Sequence, residues 1–263
     1  MNTTSNRNIL FLSLAFIFLS PLSFSNTLSV QEQLNSINSQ LKKQPENISL
    51  LMERANILFE TNQHQQSVDD YNLVLSIKPD QYAAYLGRGM ASARLGNIEN
   101  GINDISKYLK HYPNNSHAYT KRGVRYLWLG DLKKAANDFN KAISLNPKNA
   151  EAHDDLGVIL AQQNKPKAAI EHFLKTIKYD PSYQKAYHNL ALTYYIYDNS
   201  QAALEFVNKA LLLSPDSKDT VILKSEILKS LGQIKQAHAI REDAMFLPEG
   251  NWSESISIQQ SQE

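Results

Sequence analysis

The chain contains no cysteine among its 263 residues. Disulfides, thiolate metal sites, cysteine nucleophiles and cysteine-linked lipid anchors are therefore excluded. Charge of either sign is hardly in excess, since 27 Lys+Arg stand against 26 Asp+Glu for a formal net charge of +1. A phosphate-tracking surface needs surplus Lys and Arg, so no nucleic-acid partner is expected. Catalytic and nucleotide motifs are missing too: no G-x-G-x-x-G, Walker, G-x-S-x-G or H-E-x-x-H pattern occurs. The expectation is a non-enzymatic protein with no cofactor. The hydrophobic fraction, 42%, still suffices for a real core.

Long apolar runs are scarce as well. Ile9 to Leu19 is an 11-residue run in which only Ser13 is polar; Arg7 precedes it and Pro21 follows. Ser23 and Ser25 then place small residues before Asn26 at the spacing of a cleavage site. Residues 1–25 read as a secretory signal peptide cut after Ser25. A retained membrane anchor is the alternative, but a spanning helix needs roughly 20 apolar residues. After cleavage no direct membrane span is expected, and the location is periplasmic or secreted.

Proline and glycine are few, nine of each, and their placement carries most of the information. Pro45, Pro79, Pro113, Pro147, Pro181 and Pro215 are spaced 34 residues apart. A fixed period of this size is the signature of stacked repeats. With the proline at position 32, six units follow: 48–81, 82–115, 116–149, 150–183, 184–217 and 218–251. Position 8 is small throughout (Ala55, Gly89, Gly123, Gly157, Ala191, Ser225), as is position 20 (Ser67, Gly101, Ala135, Ala169, Ala203, Ala237). Two helices approach closely only where side chains are this small. Position 24 is usually large, as in Tyr71, Ile105, Phe139, Phe173 and Val207. Position 15 is Asn62, Gly96, Gly130, Asn164, Asp198 and Gly232, residues that tolerate the left-handed backbone ending a helix. Each unit therefore predicts helix A over positions 1–14, a turn, and helix B over about 17–30, closed by the proline.

These columns resemble the tetratricopeptide-repeat (TPR) family, whose pattern appears here as Arg122-Gly123-Val124-Arg125-Tyr126, then Ala135, Phe139, Ala142 and Pro147. The resemblance implies an all-α fold, a right-handed TPR superhelical solenoid of six helix-turn-helix repeats over 48–251. Within residues 26–47, the stripe Val30, Leu34, Ile37, Leu41 predicts an N-terminal capping helix at 28–44. Repeat 6 departs most, with Arg241 where an aromatic is expected and Glu249 at the proline node. A terminal repeat needs such a polar outer face. The polar tail 252–263 opens on Trp252, which either folds back on repeat 6 or serves as a short docking motif.

Arg54, Arg88 and Arg122 occupy position 7 of repeats 1–3, and Asp70, Asp104 and Asp138 occupy position 23. In repeats 4 and 5 both columns change together, to Leu156 with His172 and Leu190 with Phe206. The resembled fold sets these positions face to face, which predicts three Arg–Asp pairs within repeats. An arginine row for anionic ligands is the alternative, and the co-occurrence with Asp argues against it. His117, His153 and His188 fall on successive A helices at unmatched positions, an ordinary distribution for surface or interface histidines and not a metal site.

The family lines the inside of its superhelix with positions 2, 5, 6, 9, 12 and 13 of the A helices. That face carries Met90 from repeat 2, then Lys121, Val124, Leu127 and Trp128 from repeat 3. Asp154, Asp155 and Val158 follow from repeat 4, and His188, Asn189, Leu192, Tyr195 and Ile196 from repeat 5. Large apolar side chains there imply a groove for a protein or peptide segment with apolar side chains, plus one positive group for the aspartate pair. The competing reading has Trp128 and Tyr195 simply packing against neighbouring repeats. The Lys/Asn carboxylate clamp of one TPR subclass is mostly missing, because its positions hold Met52, Asn56, Gly87, His117 and Lys121. The resemblance thus implies an adaptor or scaffold of the cell envelope. The alternative is a structural protein that self-assembles into homo-oligomers through groove-to-tail or end-to-end contacts.

Overall fold

The structure, a computed structural model, describes residues 29–248. The expected signal segment 1–25, the tail 252–263 with Trp252, and the last residues of repeat 6 lie outside the described residues. Among the described residues there are thirteen α-helices. The first, α1 (Val30–Lys43), precedes six helical hairpins: α2/α3 (Ile48–Glu60, His64–Ile77), α4/α5 (Tyr82–Arg94, Ile98–His111), α6/α7 (Ser116–Trp128, Leu132–Leu145), α8/α9 (Ala150–Gln162, Pro166–Tyr179), α10/α11 (Gln184–Ile196, Ser200–Leu213) and α12/α13 (Lys218–Ser230, Ile234–Ala244). Each helix packs chiefly on its neighbours in sequence, and each A helix also touches the next A helix, which makes a solenoid.

The hairpin geometry follows from the small and large columns. The position-24 side chains Tyr71, Ile105, Phe139, Phe173 and Val207 are all buried. They lie against the small residue of the facing helix. A Cβ placed on Gly123 would stand 2.7 Å from Phe139 Cε1, and one on Gly157 would stand 2.6 Å from Phe173 Cε1. Those ring positions leave no room for a side chain. Where the small residue is serine it is tied down: Ser67 Oγ donates to Ala55 O at 2.8 Å and Ser225 Oγ to Ala237 O at 3.0 Å. The A-to-B turns use positive φ at Asn62, Asn164 and Asp198 as well as at Gly96, Gly130 and Gly232. Asparagine and aspartate adopt this region more readily than other residues with a Cβ.

Helix starts are fixed locally. Asn47, Asn115 and Asn149 each cap an A helix by accepting a backbone N–H through the side chain. Ser29 and Glu32 form a capping box at the start of α1. Pro166 is the first residue of α9, where its missing N–H costs nothing. Leu34, Ile37 and Leu41 of α1 are buried, and the last two join Leu51, Ala55 and Tyr71 in one core cluster. The predicted capping helix is thus present, over Val30–Lys43 rather than 28–44.

All three Arg–Asp pairs form, and each is bidentate. Arg54 donates to both Asp70 oxygens at 2.7 and 2.6 Å, Arg88 to Asp104 at 2.7 and 3.0 Å, and Arg122 to Asp138 at 2.7 and 2.8 Å. The structure adds what the repeat columns do not suggest. The remaining guanidinium nitrogen reaches back one unit, to Asn38 from Arg54, Asn72 from Arg88 and Ser106 from Arg122. Each arginine therefore clips its own hairpin together and also staples it to the preceding helix. In repeat 4 a histidine pair stands near the same place. His153 and His172 approach through their Nδ1 atoms at 2.9 Å, and His153 Nε2 lies 3.1 Å from Pro147 O. With Nε2–H donating to that carbonyl, His153 is neutral and its Nδ1 accepts from His172 Nδ1–H. Burial pushes His172 down to about 4, and the neighbouring His153 adds to the effect.

Asp104→Ala leaves Arg88 without its carboxylate and should cost about 2–3 kcal/mol, read as a lower Tm; an unchanged Tm would refute the clip. Pairing Arg88→Leu with Asp104→Phe, the combination repeat 5 carries, should recover most of that loss. The histidine pair sets a pH dependence. His172 titrates lower in the folded chain than the ordinary 6.5, so the unfolded chain binds more protons between these values. Stability present above pH about 6.5 is then lost as pH falls towards 4. His172→Phe should flatten the fall of Tm across that window without abolishing it, because burial also pushes His188 down to about 4; an unaltered slope would remove His172 from the acid response.

Candidate functional site

The A helices carry the side chains expected to face the groove, and the structure divides them into two groups. The first gathers at a cleft of about 290 Å³ formed by α2, α4, α6 and the start of α8. Met90, Lys121, Val124 and Trp128 line it together. Leu127 instead is buried in a core cluster with Phe139 and Leu156. Trp128 is half-buried and leans on that same cluster, so it both packs and lines the cleft. The cleft also takes in Phe59 and Glu60 from repeat 1, Arg94 from repeat 2, His117 and Arg125 from repeat 3, and Glu151 from repeat 4.

Polar groups in the cleft are closely coupled. Lys121 Nζ donates to both Glu151 oxygens, at 2.7 and 2.9 Å. Arg94 and Arg125 both stand near the Trp128 ring, with Cζ at 5.5 and 4.8 Å from its centroid. Burial pushes Arg125 down to about 10, and the neighbouring Arg94 charge works in the same direction. His117 is also held below its ordinary value, first by burial and then by Lys121, against the opposing pull of Glu151.

The second group lies along α8 and α10. Asp154, Asp155, Val158, His188 and Asn189 are buried, whereas Leu192, Tyr195 and Ile196 are half-buried. Several of these polar side chains make bonds between successive A helices. Asn189 Nδ2 donates to Asp154 at 3.2 and 3.3 Å, and His188 Nδ1 lies 3.0 Å from Thr220 Oγ1 on α12. Burial pushes the Asp154 carboxyl up to about 7, opposed by the Asn189 hydrogen bond. Asp155 is raised well above the carboxylate range by burial, with Glu151 and Asp154 adding to it. Tyr195 packs against the cluster of Ala203, Val207 and Ile227, and Leu192 and Ile196 against the one around Phe173. Among the described residues no cluster of His, Asp or Glu could hold a metal ion, and no helix is long and apolar enough to cross a membrane.

The side chains missing from the sequence-based set are mostly the charged ones. Phe59, Glu60, Arg94, His117 and Glu151 all occupy the named groove positions of their repeats. Reading every side chain in those columns, instead of favouring apolar ones, would have found them. Arg125 sits at position 10, outside the columns, and only the packing of α6 against α4 brings it into the cleft.

Comparisons with known proteins bear on the fold and on the repeats. Two tetratricopeptide-repeat models match residues 48–81 and 155–218, and a TPR-repeat model matches 123–164. No curated protein matches the chain in sequence. Among solved structures, a tetratricopeptide repeat protein from Parabacteroides merdae is similar at TM-score 0.66 and 20% identity, covering 85% of this chain and 89% of that one. The Cut9–Hcn1 hetero-tetramer of the APC/C is similar at TM-score 0.69 and 15% identity, covering 82% of this chain and 46% of that one. YrrB, described as a TPR protein with an unusual peptide-binding site, matches at TM-score 0.52 and 23% identity, over 70% of this chain and 94% of its own. Hairpin architecture, repeat matches and structural likeness together make the described chain an all-α tetratricopeptide-repeat superhelix.

Proposed function

We propose that the protein is a non-enzymatic adaptor or scaffold of the cell envelope that captures a partner segment on the inner face of its superhelix. The observation that carries this reading is the cleft at Trp128, where repeats 1–4 converge and apolar surface from Phe59, Met90 and Trp128 lies beside charged groups. Proteins built of these repeats generally mediate protein–protein contacts, and the similarity to YrrB, a TPR protein with a peptide-binding site, supports a peptide occupant. The envelope setting rests on the signal-peptide pattern of residues 1–25. A second reading, self-assembly, is favoured by the apolar end of repeat 6, where Met245 and Phe246 are 69% and 86% exposed.

A crosslinked pull-down from the protein's own envelope fraction, with the Trp128→Ala variant alongside, tests the adaptor reading. The expected result is a defined partner set that the variant loses while its helical circular dichroism stays intact. Recovery of the chain alone, with light-scattering mass rising with concentration, would replace the adaptor by self-assembly.

A further inference from the structure

The cleft at Trp128 holds a buried cation whose hydrogen bonds are not fully met. Arg125 is 4% exposed, yet its Nε has no hydrogen-bond partner. Its other nitrogens make only long bonds to main-chain carbonyls, Nη1 to Lys121 O at 3.3 Å and Nη2 to Met90 O at 3.4 Å. Glu151 is the carboxylate whose charge favours it, but Glu151 is held bidentately by Lys121. A buried guanidinium with no carboxylate of its own is costly, and a chain keeps one where something else completes it. Arg94 stands near the same indole, so two guanidinium groups lie beside Trp128. Arg54, Arg88 and Arg122, unlike Arg125, each receive an aspartate.

We propose that this cleft is an anchor for a single carboxylate, an Asp or Glu of a partner's peptide segment, received between Arg94 and Arg125 with an adjacent apolar residue against Trp128. The proposal rests on the reading of the inner face as a docking surface and adds the chemistry that surface selects. A carboxylate fits better than a phosphate, because Glu60 and Glu151 share the cleft and repel a second negative charge. Guanidinium forks suit a planar carboxylate, and the resulting charge-assisted bonds strengthen where water is excluded. These arginines occupy position 13 of repeat 2 and position 10 of repeat 3, neither of which is a position of the Lys/Asn clamp missing from this chain.

The test pans random peptides displayed on phage against the purified chain, then measures selected peptides by fluorescence anisotropy. The expected outcome is enrichment of sequences with Asp or Glu beside an apolar residue. Changing that acid to its amide should weaken binding about tenfold, and Arg125→Met should weaken it as much without lowering the Tm, because it also removes the buried charge. The two changes together should cost little more than either alone. Selected peptides that need Trp128 but tolerate the amide would overturn the carboxylate anchor and leave groove docking standing. No enrichment at all would overturn both. Displacement by inorganic phosphate at the concentration of a competing peptide would overturn peptide selectivity. Displacement by a synthetic peptide of residues 249–263 would assign the cleft to a copy of this chain and overturn the partner reading.

Discussion

The hairpins depend on one steric constraint, repeated six times: helix A approaches helix B only because positions 8 and 20 carry almost no side chain. The gap they leave is filled from position 24, and the fit is tight enough that Phe139 and Phe173 occupy the places where Gly123 and Gly157 would carry a Cβ. Close packing of this kind sets the angle of each hairpin, and the short proline turns pass that angle to the next. The inner face is a consequence, since the A helices can line a groove only if every hairpin keeps the same geometry.

On that frame the chain uses two ways of joining its units. In repeats 1–3 an arginine is bidentate to its own aspartate and also bonds to the previous B helix, or to α1 in the first repeat. In repeats 4 and 5 the paired columns become apolar or histidine, repeat 6 has Lys224 with Ile240, and the A helices are joined by polar bonds such as Asn189 to Asp154 and His188 to Thr220. The arginine staples to the preceding helix are thus confined to the first half. Charge gathers around Trp128 on the inner surface of repeats 1–3, where Lys121 bonds to Glu151 and Arg125 to Met90 O, while Asp154 and Asn189 of repeats 4 and 5 are buried against each other. Arg122 and Arg125 lie three residues apart on α6, yet one is satisfied by Asp138 and the other faces the cleft.

The period, the turn residues, the hairpin contacts and the three Arg–Asp pairs were all legible in the residues, because each is a local or fixed-spacing requirement. A left-handed turn needs Gly, Asn or Asp, a close crossing needs Gly, Ala or Ser, and a charge in one column calls for its opposite in the facing one. The groove was legible only in outline. Val124, Trp128, Met90 and Lys121 do meet at one cleft, but Asp154, Asp155 and Asn189, which share the same columns, are buried.

The sequence by itself determined the number of repeats, the pairing of helices within each and the intra-repeat salt bridges, since these depend on residues at constant separation along the chain. Tertiary structure alone decided which columns remain available to a partner and which are used between repeats. That outcome depends on how far each A helix lies from the next, a distance set jointly by the packing of several units. Arg125 shows the difference. Its place in the sequence is that of an ordinary helical arginine, and only the close approach of α4 buries it against Trp128 without a carboxylate.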